Sequence, residues 1–234
     1  MATLVFGKYE IIRRLAIGGM GEIFLARQTG MAGFDRLAIL KSLLPDLAAQ
    51  EKFVEQFLDE ARVAAKLNHP NIVAIYEVGL WEGVYFIAME YIHGVNLAGL
   101  LKQLVKSKEL LPVPIAARII HDATVALDHA HRAVDSGGTP LGIVHRDVSP
   151  QNIMVSYHGE VKIVDFGIAK TESKLSQTQA GVLKGKFGYM SPEQAAGLEL
   201  DYRSDLFSAG IILYEMLTGR RLFVGETDFD TLEK

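Results

Sequence analysis

The hydrophobic period of this chain is mainly strand-like before Tyr91 and helical after it, and the change limits the folds open to it. From Tyr9 to Lys41 the pattern is strand-like, with Gly18-Gly19-Met20-Gly21 and Gly30-Met31-Ala32-Gly33 as turn punctuation. Ile72 to Glu77 and Val84 to Glu90 read as two further strands around Gly79 and Gly83. Between them lies one helix, Gln50 to Leu67, in which Phe53, Phe57, Ala61, Ala64 and Leu67 recur at three- and four-residue spacing until Asn68-His69-Pro70-Asn71 stops it. After Tyr91-Ile92-His93-Gly94 the period becomes helical, with long stretches from Pro114 to Arg132 and from Leu206 to Leu217. The order predicts an α+β architecture: a small antiparallel sheet with one main helix over residues 1–92, then a mostly helical region over 93–234.

With 234 residues, 49% of them apolar, the chain can bury an ample core in one domain or two small lobes. Net charge is −4 and no long basic run occurs, which argues against nucleic acid and anionic membrane surfaces as partners. Any phosphate must therefore be held by local groups. Cysteine is absent, so disulfides, thiolate metal sites and cysteine nucleophiles are excluded, and a reducing, cytoplasmic setting is expected. The segment Leu206 to Leu217 is interrupted by Ser208, Gly210, Tyr214 and Glu215 and reads as a buried helix, so no membrane segment is expected in this chain.

Chemistry concentrates in two short runs. Val144-His145-Arg146-Asp147-Val148-Ser149-Pro150-Gln151-Asn152 is opened by a β-favouring segment, Gly142 to Val144, and Val161-Lys162-Ile163-Val164-Asp165-Phe166-Gly167 carries a carboxylate at a strand end. Asp147, Asn152 and Asp165 supply the oxygen ligands that hard cations such as magnesium require. Either Asp triplet alone is more often a turn than a site, whereas their order and spacing together point to phosphoryl transfer. Glu60 lies on the apolar stripe of the Gln50–Leu67 helix and needs a cation unless it snorkels at the stripe's edge. Lys41, ending the strand Leu37-Ala38-Ile39-Leu40, is the available partner. Ala16-Ile17-Gly18-Gly19-Met20-Gly21-Glu22-Ile23 could let backbone amides approach phosphate oxygens, or could be a plain hairpin turn.

These motifs, in this order, resemble the signature set of the protein kinases, and the chain is identified as a member of the eukaryotic-like serine/threonine protein kinases of bacteria. The resemblance covers essentially the whole chain and implies a bilobal α+β fold, with ATP as phosphoryl donor and Mg2+ as its cation. It implies that Lys41 pairs with Glu60 and holds the α- and β-phosphates. Leu15, Ala16, Gly18, Gly19, Gly21 and Ile23 would belong to the glycine-rich loop over the nucleotide, and Ile39, Met89, Glu90 and Ile92 would line the adenine. Asn152 and Asp165 would hold magnesium, and Asp147 would orient and deprotonate the substrate hydroxyl. Lys170 to Gly188 would form an activation loop with Ser176 and Thr178 as phosphorylation sites, and Asp205 would either hold the catalytic loop's backbone or cap its own helix. Proteins bearing Ser or Thr are the implied substrates, with self-association for autophosphorylation in trans.

Four departures from the family pattern stand out. Ala16 replaces the first loop glycine, and Ile39 replaces a small alanine beneath the adenine. Ser149 stands where a lysine normally meets the γ-phosphate, and Gly185-Lys186 stands where Gly-Thr is usual, so that Lys186 becomes the candidate for the missing charge. Kinases of this family also continue through further helices beyond the point where this sequence stops. On that ground Phe207, Ile211, Ile212, Leu213, Met216 and Leu222 are expected to be partly exposed, and Glu193 to lack the family's arginine. A non-catalytic pseudokinase or a truncated fragment acting as an interaction module is the alternative.

Overall fold

The computed structural model describes residues 5–30, 33–166 and 187–234. Two compact units arise: Met1–Lys66 with Val73–Tyr91, and Leu67–Ile72 with Ile92–Lys234.

The first unit is built on strands β1 (Val5–Phe6), β2 (Tyr9–Ile17), β3 (Gly21–Thr29), β4 (Asp35–Leu43), β5 (Ile75–Trp81) and β6 (Val84–Glu90), with helices α1 (Pro45–Ala48) and α2 (Glu51–Ala64). The strands form one antiparallel sheet in the order β1-β2-β3-β4-β6-β5. Alternation explains the core. Phe24 and Ala26 of β3, Ala38 and Leu40 of β4, and Phe86 and Ala88 of β6 point to one face and close on Phe6 and Tyr9. The Phe6 and Phe86 rings meet edge to face, 5.7 Å between centroids. Phe57 and Ala61 bury one stripe of α2.

Two local expectations fail in this unit. Gly79 is not a turn residue but lies inside β5, where an added Cβ would come within 2.5 Å of the Phe86 ring. The turn is instead Glu82-Gly83, both at positive φ (48° and 81°), which matches the two-residue hairpin geometry that strand twist favours. The strand also begins at Ile75 rather than Ile72. Ile72 forms a parallel bridge to Ile163 and so belongs to the second unit.

The second unit contains β7 (Gly94–Asn96), α3 (Leu97–Ser107), α4 (Val113–His131), β8 (Ile153–Ser156), β9 (Val161–Ile163), α5 (Pro192–Ala195), α6 (Tyr202–Thr218) and α7 (Asp228–Leu232). Strands β7, β8 and β9 form a small antiparallel sheet. Asn96 caps α3 by accepting the Gly99 amide at 2.8 Å. Helix α4 buries Ala116, Ile119, Ala123, Ala126, Leu127 and Ala130 and packs against α6, its four alanines leaving room for a close approach. Ile211, Ile212 and Met216 are buried on α6, contrary to expectation, whereas Phe207 and Leu222 are 36% and 42% exposed. Among the described residues no helix is long and apolar enough to cross a membrane.

Two loops of this unit position the site. Gly142–Val144 forms no strand: Gly142 sits at φ 60°, and Ile143 and Val144 are buried by packing, not by a ladder. The preceding 135–141 segment is closed on itself. Asp135 Oδ1 accepts the amides of Gly137 and Thr139 at 2.8 and 2.9 Å, and Val134 bridges Pro140.

Candidate active site

In the first unit, β4 presents alternate residues to opposite sides. Ala38, Leu40 and Ser42 face inward, so Ile39 and Lys41 share the other, half-buried face. Lys41 is opposite Ile23 of β3 and Ile87 of β6. On α2, Glu60 is next to the buried Ala61, and its Oε1 lies 2.6 Å from Lys41 Nζ. Their side chains are 16% and 14% exposed, so the pair is partly desolvated and more strongly coupled than an ion pair in open water.

The glycine-rich segment joins β2 to β3. Gly18 N–H donates to Gly21 O at 2.8 Å, closing the turn. A Cβ on Gly21 would fall 2.1 Å from Ser42 O, so this glycine is required by the neighbouring strand. Ala16 pairs with Ile23, and Leu15 falls in the register shift between Arg14 and Ala16. Met89 ends the buried run of β6 opposite Ile39, and Glu90 N–H donates to Ala74 O at 2.9 Å. Ile92, also buried, belongs to the second unit.

In the second unit, the run His145-Arg146-Asp147 is held from several directions. Asp205, 1% exposed in the first turn of α6, accepts the backbone amides of His145 and Arg146 at 2.8 and 2.9 Å. His131 Nε2–H of α4 reaches the same carboxylate at 2.7 Å. Asp201, not Asp205, caps α6 by accepting the Arg203 amide. His145 is fully buried, with Nδ1 accepting the Asp147 amide at 3.2 Å and Nε2–H donating to Val164 O at 3.2 Å. Those two bonds engage both ring nitrogens within the loop's own framework. Arg146 occupies the left-handed region at φ 64°, a strain of about 1–3 kcal/mol that its surroundings must offset. Its carbonyl accepts Gln194 Nε2–H at 2.9 Å.

Asp147 and Asn152 come together through a 3-10 turn, Pro150–Asn152, closed by the Asn152 amide donating to Ser149 O at 2.9 Å. Asn152 Nδ2 donates both to Asp147 O at 2.9 Å and to Asp147 Oδ2 at 3.0 Å. The amide nitrogen is thereby turned toward Asp147, and the carboxamide oxygen is the ligand it can offer a cation. Val164 N–H donates to Asn152 O at 3.0 Å, tying the end of β9, and with it Asp165, to the same loop. Asp165 is held at φ 56°, another non-glycine residue in the left-handed region. The Asn152 carboxamide oxygen and the Asp165 carboxylate are hard oxygen donors of the kind that could hold magnesium.

The side-chain oxygens of Ser149 and Gln151 are buried without a hydrogen-bond partner among the described residues, and Ser149 is 1% exposed. Gly167, Ser176, Thr178 and Lys186 lie outside the described residues. Glu193 is partnered by the Ser204 hydroxyl, which holds its carboxyl below the usual range. Burial raises the Tyr189 phenol, and its bond to Glu215 adds to the effect. Sequence reasoning missed Gln194 and His131. Ser191-x-x-Gln194 is a capping-box signature, and both halves form, but nothing local signals the reach from Gln194 to Arg146.

Residues 9–234 match the family model described as a protein kinase domain. The chain is 48% identical to the tyrosine-protein kinase MasK of Myxococcus xanthus, over 97% of this chain and 35% of that protein. It is 37% identical to the serine/threonine-protein kinase PrkC of Bacillus subtilis, over 95% of this chain and 32% of that protein. The chain thus spans about a third of the length of these curated relatives. The crystal structure of the Mycobacterium tuberculosis PknI kinase domain superposes with a TM-score of 0.69 at 29% identity, covering 94% of this chain and 79% of that one.

Proposed function

The chain belongs to the protein kinase domain family, and on that premise we propose that it transfers the γ-phosphoryl group of magnesium-ATP to serine or threonine hydroxyls of protein substrates. The observation that carries this reading is the bond from Asn152 Nδ2 to the Asp147 carboxylate, on a loop that also receives Val164 N–H. It supports a division of labour in which Asp147 faces the acceptor while Asn152 Oδ1 and Asp165 hold the cation. Magnesium, when bound, neutralises phosphate charge.

The chain's own residues do the rest. Asp147 orients the acceptor hydroxyl and takes its proton as the oxygen bonds to the γ-phosphorus, and the bond from phosphorus to the β–γ bridging oxygen breaks to release ADP. Lys41, steadied by Glu60, aligns the α- and β-phosphates. Ile39 lines the adenine together with Met89, Glu90 and Ile92, and the glycine-rich loop covers the phosphates. Lys186 supplies the charge that Ser149 lacks. Such catalysis rests on positioning and charge neutralisation, so Asp147 needs no unusual acidity. The reading extends to a cytoplasmic setting and to self-association for autophosphorylation at Ser176 and Thr178. A tyrosine acceptor is the second reading, supported by the 48% identity to a protein named as a tyrosine kinase.

Incubation with γ-labelled ATP and magnesium tests the proposal. Wild type should label itself or a generic protein substrate, and Asp147→Asn should lose roughly 10²–10⁴-fold of the rate. Phosphoamino-acid analysis separates serine and threonine from tyrosine. Equal labelling by the two proteins would overturn the assignment of Asp147.

A further inference from the structure

The Arg146–Asp147 peptide is the backbone unit that places the Asp147 side chain, and it is gripped at both of its polar atoms. Its N–H, which is that of Asp147, donates to His145 Nδ1 at 3.2 Å, and its carbonyl, which is that of Arg146, accepts Gln194 Nε2–H at 2.9 Å. Arg146 sits at φ 64°, where a non-glycine residue stays only if held. Asp205 holds the peptide on the N-terminal side of Arg146, through the Arg146 amide. Gln194 holds the one on the C-terminal side, from the segment that follows residue 186.

Gln194 is itself fixed. Its Oε1 accepts the Ser191 amide at 3.1 Å and its backbone N–H donates to Ser191 Oγ at 3.3 Å, so both its side chain and its backbone are tied to Ser191. Its oxygen is committed to the helix cap and its nitrogen to Arg146. From this geometry we propose that Gln194 is a positioning residue for phosphoryl transfer, clamping the Arg146 carbonyl so that Asp147 is held at the angle its work requires. The proposal rests on the kinase reading above. It makes the capping box at 191–194 a link between the Pro192–Ala195 helix and the catalytic loop, and not only a helix stop.

The two ends of the amide can be separated by substitution. Gln194→Glu retains an oxygen for the Ser191 amide, hence the cap, but removes the donor and sets a carboxylate against the Arg146 carbonyl. Gln194→Ala removes both. The expected result is a fall in kcat of roughly tenfold in both variants, the rate equivalent of one neutral hydrogen bond, with KM for ATP within about twofold. Thermal stability should drop in both variants, and protection of the helix-cap amides only in Gln194→Ala. Amide hydrogen exchange supplies a readout independent of activity: the Asp147 amide should exchange roughly tenfold faster in Gln194→Glu while the amides of Gln194 and Ala195 keep their protection. A wild-type kcat and an unchanged Asp147 exchange rate in Gln194→Glu would overturn the proposal. A wild type that transfers no phosphate would overturn the kinase reading instead, and the exchange measurement would still decide whether Gln194 clamps the loop.

Discussion

Lys41 and Asp147 stand in different kinds of surroundings. Lys41 has the Glu60 carboxylate at 2.6 Å, between side chains that keep 16% and 14% of their surface, on a strand and a helix packed by apolar alternation. Asp147 is placed by a backbone under strain, which Asp205, His145 and Gln194 grip through hydrogen bonds to buried or half-buried groups. The first arrangement sets an ion pair on a scaffold held by apolar packing. The second is a network in which the scaffold itself is polar, so the same interactions serve stability and geometry together.

That contrast can be tested by removing one anchor from each region. Asp205→Ala leaves two buried amides and His131 without their acceptor, and the cost should be about 3–5 kcal/mol, the scale for breaking a buried charged contact. Calorimetry should show a Tm lowered by on the order of 10 °C, accompanied by loss of phosphoryl transfer. A stable but inactive Asp205→Ala would show that the network orients without supporting the fold.

Lys41→Met should weigh more on activity than on stability. The strand register and α2 packing do not depend on the ammonium, but the mostly buried Glu60 carboxylate loses its partner, so stability should fall by about 1–3 kcal/mol, less than in Asp205→Ala. The transfer rate should fall roughly 10²–10³-fold, as expected on removing one preorganised charge from a site of this kind. A large loss of stability would mean that the pair is structural and that the two regions are alike.

The smallest effect concerns pH. His69 Nδ1 accepts the Asn71 amide at 3.1 Å, and its ring lies 4.9 Å from that of His129. Burial first, then the charges of His129 and Lys162, hold its pKa below the ordinary imidazole value. The unfolded chain therefore takes up this proton before the folded one does. The stability it contributes is complete above about pH 6.5 and declines as pH falls below that value. His69→Asn, which keeps an acceptor for Asn71 without a titrating ring, should flatten the dependence of stability on pH below about 6.5. An unchanged slope would assign the dependence to another group.

The sequence by itself determined the order of elements, because periodicity is a local property: alternation marked β2, β3, β4 and β6, and the Phe53–Leu67 stripe marked α2 and left Glu60 beside its apolar face. It also singled out Asp147, Asn152 and Asp165, since oxygen ligands at loop and strand ends have few other reasons to gather in that order. It misplaced Gly79, where the Phe86 ring occupies the space of a side chain, and the Gly142–Val144 segment, where a positive φ at Gly142 breaks the extended run. It left Asp205 open between a cap and a catalytic-loop anchor. Only the tertiary structure decided that, by bringing α6 against the loop so that a carboxylate 60 positions downstream of His145 accepts that residue's amide. The same holds for the bond from Gln194 to Arg146, 48 residues apart. Hydrogen bonds at such separations depend on how elements pack, and packing leaves no period in the chain to read.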